Sequence, residues 1–68
     1  MMHSITVNGH RIEWEEGMTL RRVLERMNYT WRLLVIRVNG TLVRKEAWDT
    51  TLIPPDAEVS VFHLLSGG

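Results

Sequence analysis

The chain has 68 residues, and eight Lys and Arg balance eight Asp and Glu, so its formal net charge is zero. A chain of this length forms one domain with a single small core, which excludes a large enclosed active site. The balanced charge argues against nucleic acids and anionic membranes as partners, because both require a basic excess on one face. The sequence has no cysteine, so it can hold neither a disulfide framework nor a cysteine-based zinc site.

The first residues do not resemble an export signal. The opening stretch MMHSITVNGHRIEW has no apolar segment of the kind that signal peptides carry. No apolar run approaches the roughly 18 residues that a membrane-spanning helix requires. Small secreted domains usually depend on disulfides, which this chain cannot form. We therefore expect a single cytoplasmic domain over residues 1–68, with no membrane partner.

The first unit is predicted to be a β-hairpin. Asn8-Gly9 is the pair that a two-residue type I′ turn favours, because both central positions of that turn need a positive φ. Apolar residues alternate with polar ones on both sides of this pair, at Ile5, Val7, Ile12 and Trp14.

A short amphipathic helix is predicted next. Gly17 ends the preceding strand, Thr19 offers a side-chain oxygen as an N-cap, and Asn28 is a plausible stop. Between them the apolar residues recur with helical spacing, at Leu20, Val23, Leu24 and Met27. A helix with one apolar face must lie across a flat surface.

Three further strands follow. Residues 34–38 alternate, with Leu34, Ile36 and Val38 on one side, and a second Asn-Gly turn at residues 39–40 leads into a short return strand. KEAWDTTL indicates an irregular or single helical turn, and IPPDAE a loop, since proline removes backbone donors. EVSVFHL is the last predicted strand, with Val59 and Val61 facing inward.

The order β-β-α-β-β-β indicates an α+β fold of the β-grasp (ubiquitin-like) type. We expect a mixed four- to five-stranded sheet, one helix across one of its faces, and a flexible C-terminal Gly-Gly tail at residues 64–68.

Few residues suggest catalysis or metal binding. His3, His10 and His63 do not lie at the spacing of metal ligands, so we expect no metal site. Trp14 and Trp48 are expected in or beside the core, and Trp31 partly exposed. No nucleotide-binding glycine loop or nucleophile motif is present, so we do not expect an enzyme.

The last three residues are the remaining candidate for chemistry. A carboxylate on Gly68 becomes reactive if a partner converts it into an acyl-adenylate. Gly67 and Gly68 have no Cβ, so a partner's active site can close tightly around their backbone, and Ser66 adds a small polar residue where the tail begins.

Taken together, these segments resemble the sulfur carrier proteins of the ThiS/MoaD type, relatives of ubiquitin. The resemblance covers nearly the whole chain and is carried, in order, by ITVNG, GMTLRRVLERM, VIRVNGTLVRKEAW and EVSVFHLLSGG. One departure is Asp56-Ala57, where the family usually has Gly-Asp, and we expect a different turn there before the same final strand.

The resemblance implies a function for the tail. A partner adenylates the terminal carboxylate with ATP, sulfur then converts Gly68 into a thiocarboxylate, and a synthase accepts the sulfur. The implied partners are an adenylating enzyme of the ubiquitin-activating type and thiazole synthase or the large subunit of molybdopterin synthase. The protein would be a co-substrate with no bound cofactor, with thiamin thiazole favoured as the product and molybdopterin next.

The resemblance also places a partner-binding surface on the open face of the sheet beside the tail. By alternation from the inward valines, this face should carry Phe62 and Leu64, with Leu65 at the root of the tail and Val35 and Arg37 alongside. Two alternatives stay open: a ubiquitin-like modifier conjugated through Gly68, and a non-catalytic β-grasp interaction module with an inert tail.

Overall fold

The computed structural model describes residues 3–29 and 34–63. Within them the strands and helices follow the predicted order β-β-α-β-β-β, and a single 3-10 turn at Lys45–Ala47 occupies the predicted short helical turn. The regular elements are β1 (Ser4–Val7), β2 (His10–Glu13), α1 (Leu20–Arg26), β3 (Leu34–Val38), β4 (Thr41–Val43) and β5 (Glu58–His63).

Both Asn-Gly pairs form the predicted turns. Asn8 and Asn39 have φ values of 50° and 51°, and Gly9 and Gly40 have φ values of 85° and 82°. Positive φ at both central positions is the signature of the type I′ turn, whose twist matches that of the strands it joins. The turns fix the registers of the two hairpins, β1 with β2 and β3 with β4.

In the described part of the chain, the sheet has five strands in the order β2-β1-β5-β3-β4. β5 lies in the centre, parallel to β1 and antiparallel to β3. The sheet is therefore mixed, and with α1 on one face it has the predicted β-grasp architecture. The central position of β5 means that the last strand of the chain, which leads into the tail, is held by neighbours on both sides.

The helix begins as predicted and ends slightly earlier. The Thr19 hydroxyl oxygen accepts a hydrogen bond from the Arg22 backbone N–H at 3.3 Å. The last helical residue is Arg26, and Asn28 takes a φ of 58°, which turns the chain away from the helix axis. Met27, predicted as the last member of the apolar stripe, caps the helix and packs against the core.

The core lies between α1 and the sheet. The three helical residues Leu20, Val23 and Leu24 pack there with strand residues from β1, β3 and β5. Its largest fully buried side chains are Ile5, Val7, Leu20, Val23, Ile36 and Val59. These strand positions belong to the inward sets that alternation predicted.

Two tryptophans extend the core as predicted. Trp48 is buried and its indole N–H donates to the Val43 carbonyl oxygen at 3.2 Å. Trp14 is half-buried, and its indole N–H donates to the Ile53 carbonyl oxygen at 2.7 Å. The predicted exposure of Trp31 falls outside the described residues.

The loop before β5 contains a backbone conformation that glycine usually occupies. Asp56 has a φ of 63°, and its N–H donates to the Ser4 carbonyl oxygen at 3.0 Å. Asp and Asn tolerate this region better than most residues. Ala57 is then buried and β5 begins at Glu58, so the final strand follows the unusual Asp56-Ala57 pair as expected.

Candidate functional site

The two faces of β5 differ in the way that alternation predicted. Val59 and Val61 are buried against the helix, whereas Phe62 is 53% exposed on the opposite, open face of the sheet. Phe62 is the last residue but one of the strand. A large apolar ring is therefore exposed close to the point where the chain continues into residues 64–68.

Register places the other predicted face residues beside Phe62. Val35 on β3 lies directly opposite Phe62 on β5. Arg37, two residues further along β3, lies opposite Ser60 on β5. Alternate residues of one strand share a face, so Val35 and Arg37 lie on the same face as Phe62. Val35, Arg37 and Phe62 thus share one face, while the role of this face in partner binding stays a prediction.

Leu42 also belongs to this face and was not among the predicted site residues. It lies opposite Arg37 on the edge strand β4 and is 55% exposed. The sequence of this short strand did not indicate which face Leu42 occupies. In the structure Val43 packs against the core, so its neighbour Leu42 points outward. We call Phe62, Val35, Leu42 and Arg37 the Phe62 patch.

Arg37 differs in its surroundings from the arginines of the helix. Arg21 forms a hydrogen-bonded ion pair with Asp49 at 2.9 Å, and this hydrogen bond raises the pKa of the Arg21 guanidinium. Arg26 is paired with Glu15. Arg37 is exposed and, within residues 3–29 and 34–63, forms no ion pair or side-chain hydrogen bond. Among the residues that the structure describes, the patch therefore combines apolar side chains with one positive charge that has no charged partner.

Asn8, which was predicted only as a turn residue, holds β5 near its C-terminal end. The Oδ1 of Asn8 accepts from the Val61 N–H at 2.8 Å, and the Asn8 Nδ2 donates to the Val61 carbonyl oxygen at 3.0 Å. The Nδ2 also donates to the Tyr29 hydroxyl at 3.2 Å. No local signal could reveal this contact, because the two partners are 53 residues apart in sequence.

The second turn asparagine holds the other end of β5. The Asn39 N–H donates to the Glu58 carbonyl oxygen at 2.8 Å, and the Asn39 Oδ1 accepts from the Glu58 N–H at 2.9 Å. Each Asn-Gly turn thus contributes its asparagine to one end of the central strand. β5 is clamped at Glu58 by one hairpin and at Val61 by the other.

The histidines form no cluster in the described part of the chain, and no group of three or more His, Cys, Asp or Glu is found there that could hold a metal ion. His3 packs edge-on against Trp14, with its Nδ1 at 3.8 Å from Asp56. His10 is exposed on β2. A shallow depression beside His3 is lined by Ser4, Arg11, Ile12 and Glu13.

The predicted tail begins where the described part of the chain ends. Leu64, Leu65, Ser66, Gly67 and Gly68 all lie outside the described residues. A membrane span is not found among the residues that are described, where no helix is both long enough and apolar enough.

A protein-family model identifies the chain's relatives. The model of the ThiS family matches residues 4–68, which includes every described strand, the helix and the glycines at positions 67 and 68. The chain belongs to the ThiS family. The resemblance of its segments to sulfur carriers of the ThiS/MoaD type is thereby confirmed.

A solved structure from this family has the same fold. The crystal structure of the thiamine biosynthesis protein ThiS from Geobacter metallireducens superposes with a TM-score of 0.75 and is 22% identical in sequence. The match covers 96% of this chain and 99% of that one. No curated protein matches the chain. The β-grasp fold is thus shared across nearly the full length of this ThiS family member.

Proposed function

We propose that this protein is a sulfur carrier of thiamin biosynthesis that delivers sulfur as a thiocarboxylate on Gly68. The observation that carries the proposal is the ThiS family match, which runs from β1 through Gly68. The thiamine biosynthesis protein with the same fold supports the thiamin branch over molybdopterin.

The proposed chemistry needs no catalytic group on this chain. A partner enzyme joins the Gly68 carboxylate to the AMP portion of ATP and releases pyrophosphate. Hydrogen sulfide then attacks the activated carbonyl carbon, the bond from that carbon to the phosphate oxygen breaks, and AMP and a proton leave as the thiocarboxylate forms. The protein is therefore a co-substrate, and its contribution is to present a narrow, unbranched terminus to the partner.

The decisive experiment is intact-mass spectrometry of the purified protein. It is incubated with ATP, its adenylating enzyme and sulfide, and replacement of one terminal oxygen by sulfur adds about 16 Da. A matched sample lacks ATP, and a variant without Gly68 serves as the chain control. No mass change in the complete reaction, or the same change in the variant without Gly68, would contradict the proposal.

Two further measurements separate the alternative functions from the sulfur carrier. A ubiquitin-like modifier would yield branched peptides in which Gly68 is joined to a lysine of another protein. An interaction module with an inert tail would bind its partner equally well after removal of Gly67 and Gly68, and its mass would not change with ATP.

We further propose that the Phe62 patch is the surface on which the adenylating enzyme and then the thiazole synthase dock. Phe62 and Leu42 expose more than half of their area, and large apolar side chains of this kind often anchor interfaces. Arg37 lies among them without a partner charge in the described residues. A complementary partner surface would be apolar with a carboxylate facing Arg37.

A further inference from the structure

Asn8 has a second task beyond its turn. The Asn8 N–H donates to the Val59 carbonyl oxygen at 2.9 Å, as in a regular parallel ladder. If the ladder continued, the next β5 N–H that faces β1, that of Val61, would donate to the Asn8 carbonyl oxygen. The positive φ of Asn8 begins the turn at this point, so the backbone of β1 does not continue alongside β5.

The side-chain amide of Asn8 supplies the missing ladder group. An amide contains the same acceptor and donor as a peptide unit, and both are used, one for each polar backbone group of Val61. The orientation of the amide is unambiguous, because a backbone N–H can only donate and a carbonyl oxygen can only accept. β5 thereby stays paired beyond the point where β1 turns away.

The contact between Asn8 and Val61 lies two residues before the end of β5. Val61 is the last described buried residue of β5, and Phe62 and His63 complete the strand. Tyr29, just after the helix, accepts a further hydrogen bond from the same amide. One side chain therefore joins the first turn, the end of the helix region and the final strand.

We propose that Asn8 is a positioning residue for the reactive tail. By holding both backbone groups of Val61, it fixes β5 on its β1 side, while pairing with β3 fixes the other side as far as His63. The amide contact thereby sets the fraction of molecules in which the end of β5, from which residue 64 continues, is in place for the adenylating enzyme. The inference rests on the proposed function of Gly68. An alignment equilibrium that precedes binding raises KM when it is weakened and leaves kcat unchanged.

The test compares glycine substitutions at the two ends of β5. Asn8→Gly and Asn39→Gly both keep the positive φ that their turns require, and each removes a side-chain clamp on the strand. Asn39→Gly is the matched control, because it loosens the end of β5 that is remote from the tail. Urea unfolding of both variants measures the loss of global stability separately.

Two readouts are expected to separate the variants. In Asn8→Gly, hydrogen exchange of the Val61 amide should accelerate more than global destabilisation explains, and KM for adenylation should rise about fivefold or more at unchanged kcat. In Asn39→Gly, KM should stay within about twofold of the value for the unsubstituted protein, because the Asn8 contact with Val61 is retained. Asn8→Asp, which keeps the acceptor and loses the donor, should show the same KM effect if Asn8→Gly folds poorly.

The outcomes distinguish this inference from the proposed function. If the unsubstituted protein is adenylated and the Asn8 variants fold with an unchanged KM, the positioning role is wrong while the carrier function stands. An equal rise in KM for Asn39→Gly would likewise overturn it, because loosening of β5 at either end would then explain the change in KM. If the unsubstituted protein is not adenylated on Gly68, both proposals fail together.

Discussion

Val35 and Phe62 face each other across the central pair of strands, β3 and β5, on the side of the sheet that the helix leaves open. Val35 is half-buried beside the ring, and Phe62 keeps 53% of its area exposed. The pair gives the Phe62 patch a fixed apolar centre. Because both residues sit on paired strands, their relative position is set by the backbone and not by loop conformation.

Phe62→Ala is expected to weaken binding of the adenylating enzyme by about tenfold to a hundredfold, since a central aromatic anchor contributes roughly 2 kcal/mol or more. Titration calorimetry measures the change. Leu52→Ala is the matched control, because Leu52 is 64% exposed but lies beside Thr19 at the start of the helix. Equal losses for the two variants would argue against a specific patch.

Charge reversal at Arg37 should slow association with the same partner. Arg37→Glu places a negative charge opposite the carboxylate that we expect on the partner, so the association rate should fall by about tenfold at low salt and the difference should shrink as salt is added. Arg22→Glu, on the exposed side of the helix, is the control for net charge. A salt-independent effect at Arg37 would contradict the electrostatic reason.

Trp14→Phe should destabilise the fold by about 1–2 kcal/mol, because the change removes the indole donor to the Ile53 carbonyl. Ile53 is buried, which limits access of water to the oxygen left behind. For a domain of this size the melting temperature should fall by about 4–8 °C for each kcal/mol. If the Phe variant has the same melting temperature as the unsubstituted protein, the indole hydrogen bond contributes nothing to stability.

The helix cap offers a conservative comparison. Thr19→Ala should cost about 1 kcal/mol, because the Arg22 N–H loses its side-chain acceptor. Thr19→Ser retains the hydroxyl and should stay within about 0.5 kcal/mol of the unsubstituted protein. Urea unfolding of the three proteins checks the order, and a Ser variant as unstable as the Ala variant would point to the lost methyl group instead of the cap.

Sequence by itself determined the local structure of this protein. The Asn-Gly pairs fixed both turns because few other residues accept two consecutive positive φ angles. Thr19 located the start of the helix, and strict alternation separated the buried valines of β5 from exposed Phe62. The terminal Gly-Gly and the order of the segments indicated the ThiS/MoaD-type family, because together they carry its pattern across the chain.

Only the tertiary structure decided how β5 is held. Its place between β1 and β3 depends on pairing between the two ends of the chain, which local patterns do not encode. Leu42 joined the Phe62 patch only when the register of β3 and β4 set it opposite Arg37. Asn8, which the sequence marks only as a turn residue, clamps Val61 because parallel pairing brings that turn to the end of β5.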